Sequence, residues 1–149
     1  MCMGGRRDLI TAASGAIPRS DNKRQKAHAK LFYEEVRHKT SDVASISENT
    51  NFSIDDIQKV KEHIFFNEYL LGSDVPERFD PDYDMAVSWQ RLTEGKAIQE
   101  MDLVLLDHEL MEYKLMKEKG LSYSKAHAAA HEVYNYKKFV DELDRRAGK

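Results

Sequence analysis

The sequence predicts an all-α fold: a single compact domain of five or six helices, orthogonal or bundle-like, behind a flexible N-terminal arm. Apolar residues recur at three- and four-residue spacing through most of the chain, the period of a helix with one face on a core. Ser, Asp and Gly stand where helices begin and end. The chain has 149 residues, 41% hydrophobic and 33% charged, a balance that suits charge-faced helices around one core.

Residues 1–22 read as the arm, with Gly4, Gly5, Gly15 and Pro18 around a short apolar piece at Leu9 and Ile10. The domain is expected over residues 23–146. Its first helix, residues 23–39, carries Ala29, Phe32, Tyr33 and Val36 on one stripe, and a short piece follows at 41–47. Ser53 is the clearest helix start: it can cap free amides, and Ile57 can staple back onto Phe52. That helix is expected to run through Val60, Ile64 and Phe65 to about Leu71. The pair of helices joined by residues 50–53 looks like a helix-turn-helix, but Asp55 and Asp56 stand where DNA readers place basic or amide side chains.

A loop over 72–78 leads to the central stretch. Asp80 as cap, Pro81 in the first helical position and Asp82 in the first turn suit a helix N-terminus. The three aspartates at 80, 82 and 84 lack the Gly and terminal Glu of a calcium loop. Met85, Trp89 and Leu92 form the inward stripe, and Gly95 closes the helix. After an exposed connection at 93–97, a longer helix over 97–118 carries Leu103, Leu106, Leu110 and Tyr113. Gly120 ends it, Ser122 caps the last helix, and His127, His131 and Tyr134 share a stripe there. The far end is basic, with Lys137, Lys138, Arg145, Arg146 and Lys149.

The net charge of −3 conceals an asymmetry. Residues 40–120 hold eight Lys/Arg against eighteen Asp/Glu, while residues 1–39 hold nine against four and residues 121–149 six against four. An acidic middle disfavours a broad nucleic-acid footprint. Cys2 is the one cysteine, so the chain forms no internal disulfide and has no thiolate cluster. No apolar run is long enough to span a bilayer. The expected location is the cytoplasm, with no membrane partner.

The chemical signal is concentrated in Asp102 to His131. His108 and Glu112 are four apart, as are His127 and His131, so two helical pairs could converge on one divalent metal with nitrogen and oxygen ligands. Glu109 would then be the natural general base. The string is His-Glu-x-x-Glu, so the His-Glu-x-x-His zinc-protease motif is absent. The simpler reading is an ordinary ion pair between His108 and Glu112, with the Ala-rich face around His127 packed on a neighbour. A metal-free nuclease using His127 or His131 with the basic tail is also open. No Gly-x-Ser-x-Gly elbow or Gly-rich phosphate loop is present.

Phe79-Asp80-Pro81-Asp82-Tyr83-Asp84-Met85-Ala86, then Ser88-Trp89-Gln90-Arg91-Leu92, Leu106-x-His108-Glu109-x-x-Glu112, Ala126-His127 and Tyr134-Asn135-Tyr136 together resemble the C-terminal, polymorphic-toxin-like domains attached to phage Mu F-like head-morphogenesis (minor capsid) proteins of Gram-positive prophages. The resemblance spans most of the chain. It implies a prophage-encoded toxin-like or effector domain in the bacterial cytoplasm, with Asp84, Gln90, Arg91, His108, Glu109 and Glu112 in its functional surface. The expected catalytic group is His108, Glu109, Glu112 and Arg91. The contrasting expectation is a non-enzymatic phage protein that inhibits a host or anti-phage defence protein through an acidic surface of Asp55, Asp56, Asp82 and Asp84, with Gln90 beside it. In both, a host or phage protein is the expected partner.

Overall fold

The computed structural model describes residues 17–148. Residues 1–16 of the expected arm, including Cys2, and Lys149 at the basic end lie outside the described residues. The structure is 69% helical, with seven α-helices and no strands among the described residues. In order they are α1 (Asn22–His38), α2 (Asp42–Asn49), α3 (Ile54–Lys61), α4 (Tyr83–Glu94), α5 (Glu100–Lys119), α6 (Tyr123–Val133) and α7 (Lys137–Arg146). A π-helical turn, Glu62–Phe66, continues α3. Among the described residues no helix is long and apolar enough to cross a membrane.

The all-α expectation holds, with differences at element ends. The segment after Ser53 does not stay helical to Leu71. It widens at Glu62 and turns extended at Asn67, and a pair of backbone hydrogen bonds between Tyr69 and Glu77 closes the loop that follows. Asp82, rather than Asp80, caps α4: its carboxylate accepts from the Met85 amide at 2.9 Å, which leaves Pro81 outside the helix. The expected last helix is two, because the chain leaves helical geometry at Tyr134 and Asn135 re-caps it by accepting from the Lys138 amide. This break raises the helix count to seven. The start of the domain also lies earlier than residue 22. Ile17 is buried, and Arg19 donates to Asp84 and Asp144.

The main core joins α1 to α5 around Trp89, Tyr33, Phe65, Ile46, Ile57 and Leu92, all buried. Phe65 meets both Tyr33 and Trp89 edge-on, at 4.6 and 5.2 Å between ring centres. A polar knot is buried with them. Asp42 accepts from Lys61 Nζ at 2.8 Å and from the Trp89 indole N–H at 3.0 Å, and Lys61 also donates to the Lys39 carbonyl. One carboxylate thus ties the N-terminus of α2 to the ends of α1 and α3 and to the middle of α4. A second cluster seats α7 through Phe139, Val140 and Leu143 against Met101, Leu105 and Tyr136.

Asp42→Ala leaves a buried ammonium without its counterion and a buried indole N–H without its acceptor. Urea denaturation is expected to show a loss of about 3–5 kcal/mol, with a smaller loss for Asp42→Asn, which keeps one acceptor oxygen.

Gly95 and Gly120 both adopt left-handed backbone at φ +71° after α4 and α5. A Cβ on Gly120 meets nothing within 4 Å, whereas one on Gly95 comes within 2.8 Å of the Asn49 side chain, which donates to the Leu92 and Thr93 carbonyls. Gly120→Ala should cost about 1–2 kcal/mol for the backbone alone. Gly95→Ala should cost more by about 1 kcal/mol or above, since it also displaces a hydrogen-bonded side chain. Equal losses in parallel denaturation curves would refute the Asn49 contribution.

Candidate functional site

The inward stripe of α5 is unusually polar. Asp102, His108, Glu109 and Glu112 are all buried beside Met101, Leu105 and Leu106. Burying charge in a helical core is costly unless it is paired, so each of these groups requires a partner. Asp102 has its own at the helix start: Arg91 grips it with two bonds of 2.8 and 2.7 Å, and the Gln99 amide adds a third. The other three converge with two histidines from elsewhere in the chain.

Glu112 is the hub. Its Oε2 lies 2.7 Å from His108 Nε2 and 2.6 Å from His127 Nδ1, and its Oε1 lies 2.9 Å from His63 Nε2. The two nitrogens that face Oε2 are 3.3 Å apart. Glu109, one turn of sequence earlier, sits between the halves of the cluster, with Oε1 3.6 Å from His63 Nε2 and Oε2 3.8 Å from His108 Nε2. His63 comes from the π-helical turn and His127 from α6. The small residues Ala126 and Ala130, both fully buried, let α6 approach α5 closely enough for His127 to reach.

The outer atoms of the rings are held as well. His108 Nδ1 lies 2.8 Å from the Tyr134 carbonyl. A carbonyl only accepts, so this nitrogen carries the proton, and a neutral His108 ring turns a bare Nε2 lone pair toward Glu112. The 2.7 Å contact with Glu112 Oε2 is then met either by a proton on Nε2, the direction in which Glu112 shifts His108, or by a metal ion. His63 Nδ1 bonds the Tyr69 hydroxyl at 2.8 Å, and Asn67 donates to the same hydroxyl. Tyr123 lies 3.4 Å from His127 Nδ1. Phe79 packs edge-on to His63 and against Tyr123.

His108, Glu109, Glu112 and His127 form one wall of a cleft of about 510 Å³, which Tyr33, Phe79, Tyr123 and Tyr136 also line and His63 does not. The Glu112 side chain is 2% exposed and His127 46%, so the cluster is closed behind and open in front. Asp80, Asp82, Asp141 and Asp144 border the cleft, with Lys137 as the one Lys or Arg among the described lining residues.

Electrostatics follow from this crowding. Burial acts to raise the Glu112 carboxyl, but hydrogen bonds from His108 and His63, with those of His127 and the charge of His108, outweigh it and bring it down to about 2. Burial acts to lower His108, yet the Glu112 hydrogen bond and charge leave it raised. Glu109 goes the opposite way from Glu112. Its own burial and the negative charges of Glu112 and Asp82 push it well above the carboxylate range.

Of the residues expected from sequence, the structure brings His108, Glu109, Glu112 and His127 together. His131 lines the same cleft with its ring centre 6.1 Å from that of His127, outside the ligand-distance groups. Arg91 is committed to Asp102 and does not line the cleft. Asp84 accepts from two of the three Arg19 guanidinium nitrogens, Gln90 donates to Glu94, and Asp55 pairs with Lys59. Asp56 stands in the first turn of α3, and Asp82 borders the cleft while capping α4. His63 is the residue that the sequence reading missed. Its signal was its place between Val60 and Ile64, which sets a histidine on the inward side of an apolar helix.

Searches against protein-family models, curated proteins and solved structures returned no match.

For metal-free protein the folded-state carboxyl of Glu112, at about 2, lies below its ordinary value of about 4.3. Its stabilising contribution is therefore complete above the ordinary value and is lost as pH falls toward 2. His108 has the reverse sign: its raised folded-state value gives a contribution that is full below the ordinary imidazole value and lost at higher pH. Chelator-treated protein should lose urea stability on acidification from pH 5 to pH 3, and Glu112→Gln should flatten that segment. An unchanged slope in the variant would assign the acid sensitivity to other groups.

Proposed function

We propose that this chain is a metal-dependent hydrolytic domain, in the setting of the prophage toxin-like or effector role that the sequence resemblance implies. His108 Nε2, Glu112 Oε2 and His127 Nδ1 hold a divalent ion at the wall of the cleft. The observation that carries the reading is the orientation of His108: with its outer nitrogen bonded to the Tyr134 carbonyl, its inner lone pair, the Glu112 oxygen and the His127 nitrogen face one point at 2.6 to 3.3 Å from one another. A divalent ion at that point replaces three mutually crowded donors with three metal bonds. Two imidazoles and one carboxylate suit zinc or another borderline divalent ion, and three protein ligands leave a coordination position for water. Such an ion lowers the pKa of its water toward neutrality and polarises the bond that this water attacks.

The cleft bears on the substrate class. The aromatic walls and the acidic border, where Asp141 is paired with Lys137 and Asp144 with Arg19, favour a compact compound with apolar groups over a polynucleotide. The contrasting reading, an inhibitor acting through its acidic surface, draws less support. Asp84 is neutralised by Arg19 and Asp55 by Lys59, and Asp82 is engaged at the start of α4.

Elemental analysis of protein purified without a His tag is the test. Stoichiometric divalent metal is expected in the wild type and is lost in His108→Ala and in His127→Ala, together with turnover in a panel of chromogenic esters, peptides and phosphodiesters. Wild-type protein that takes up no zinc, manganese or iron would overturn the metal reading. Metal-loaded protein that turns over nothing in the panel would overturn the hydrolytic one.

A further inference from the structure

The cluster holds more donors than one ion uses. Besides the three atoms assigned above, His63 Nε2, Glu109 and the second oxygen of Glu112 lie within 4.8 Å of one another and form a separate ligand group. The two groups share Glu112, one oxygen in each: Oε2 faces His108 and His127, and Oε1 faces His63. Glu109 is split the same way, with Oε2 toward His108 and Oε1 toward His63. Two carboxylates that each present one oxygen to either side form the frame of a carboxylate-bridged pair of ions, a device that helical folds build from inward-facing Glu and His.

We propose that the site is dinuclear: Glu112 and Glu109 bridge two divalent ions, with His108 and His127 as end ligands of one and His63 as end ligand of the other. The inference rests on the metal reading above and extends it to a second ion, for which it gives Glu109 the role of ligand.

Three further features bear on His63. It is completely buried, with its inner nitrogen 2.9 Å from Glu112 Oε1. Its outer nitrogen is held by Tyr69, itself fixed by Asn67, the kind of outer partner that orients a metal-binding imidazole. It also lies on the π-helical turn. This wider turn makes His63, Ile64 and Phe65 consecutively buried, so Ile64 and Phe65 fill the core while His63 points to Glu112. Single π-turns within helices are concentrated at functional sites. Finally, two buried carboxylates side by side repel one another, and a cation between each of them and a ring relieves that repulsion.

The first ion would have four protein ligands and the second three, and the first, whose ligands line the cleft, would keep a position there for water or substrate. Paired ions about 3.5–4 Å apart stabilise both the attacking and the leaving oxygen of a displacement.

Titration of Mn²⁺ into metal-free, tagless full-length protein tests the proposal, with bound metal counted and electron paramagnetic resonance recorded. Two ions per chain and an exchange-coupled signal are expected from the wild type, a result that needs no variant. His63→Gln and Glu109→Gln should each reduce binding to one ion and abolish the coupling, with far-UV circular dichroism unchanged. Tyr69→Phe keeps every ligand and should weaken only the second ion, by about 10–100-fold. One uncoupled ion in the wild type, lost in His108→Ala but kept in His63→Gln, would overturn the second site and leave the first intact. No bound ion in the wild type would overturn both.

Discussion

A single carboxylate, that of Glu112, sets the terms for half of this molecule. It is ionised and almost wholly inside a helical core, where an uncompensated charge costs several kcal/mol. Three rings from three separate elements answer it: His63 from the π-turn, His108 from α5 and His127 from α6. Each of those elements is in turn shaped to deliver its ring. Alanines bring α6 close to α5, the Tyr134 carbonyl at the end of α6 orients His108, and Tyr69 in the closed loop orients His63.

The Asp42 knot belongs to the same logic at one remove. Lys61, which it holds, is the last residue of α3 and directly precedes the π-turn. With Lys61 pinned to Asp42 on one side and Phe65 locked between Tyr33 and Trp89 on the other, the four-residue step between them has little freedom. The π geometry lets that step satisfy the core and still present His63 to Glu112. The buried polar knot thus contributes register as well as stability, and it does so through atoms distant from the cleft.

How much of this was legible in the sequence follows from how local each contact is. His108 and Glu112 stand at helical spacing on one strongly patterned helix, and His127 follows across a short turn marked by Gly120 and Ser122, so these three could be grouped by pattern. His63 lies 49 residues from Glu112, within an apolar run that reads as core, and no local rule announces a π-turn. The pairing of His127 with His131 shows the limit of i, i+4 reasoning: it places two rings on one side of a helix but does not bring both to one point. Asp55 had its partner Lys59 at helical spacing, but Arg91 and Asp84 carried no sign of their partners Asp102 and Arg19, and a charge looks available in a sequence until its counterion is located. The split between α6 and α7 was hidden because Tyr134-Asn135-Tyr136 contains neither Gly nor Pro, and the break rests on Asn135 acting as a cap.

Charge balance connects the site to its surroundings. The raised values of Glu109 and His108 leave Glu112 as the group that carries the cluster's negative charge. Asp82 lies on the border of the same cleft, close enough to act on Glu109. Its placement is fixed because the same carboxylate caps α4 through the Met85 amide. The start of α4 is therefore anchored by a group whose charge is also felt at the His/Glu cluster, and this links the extended entry to α4 to the electrostatics of the cleft.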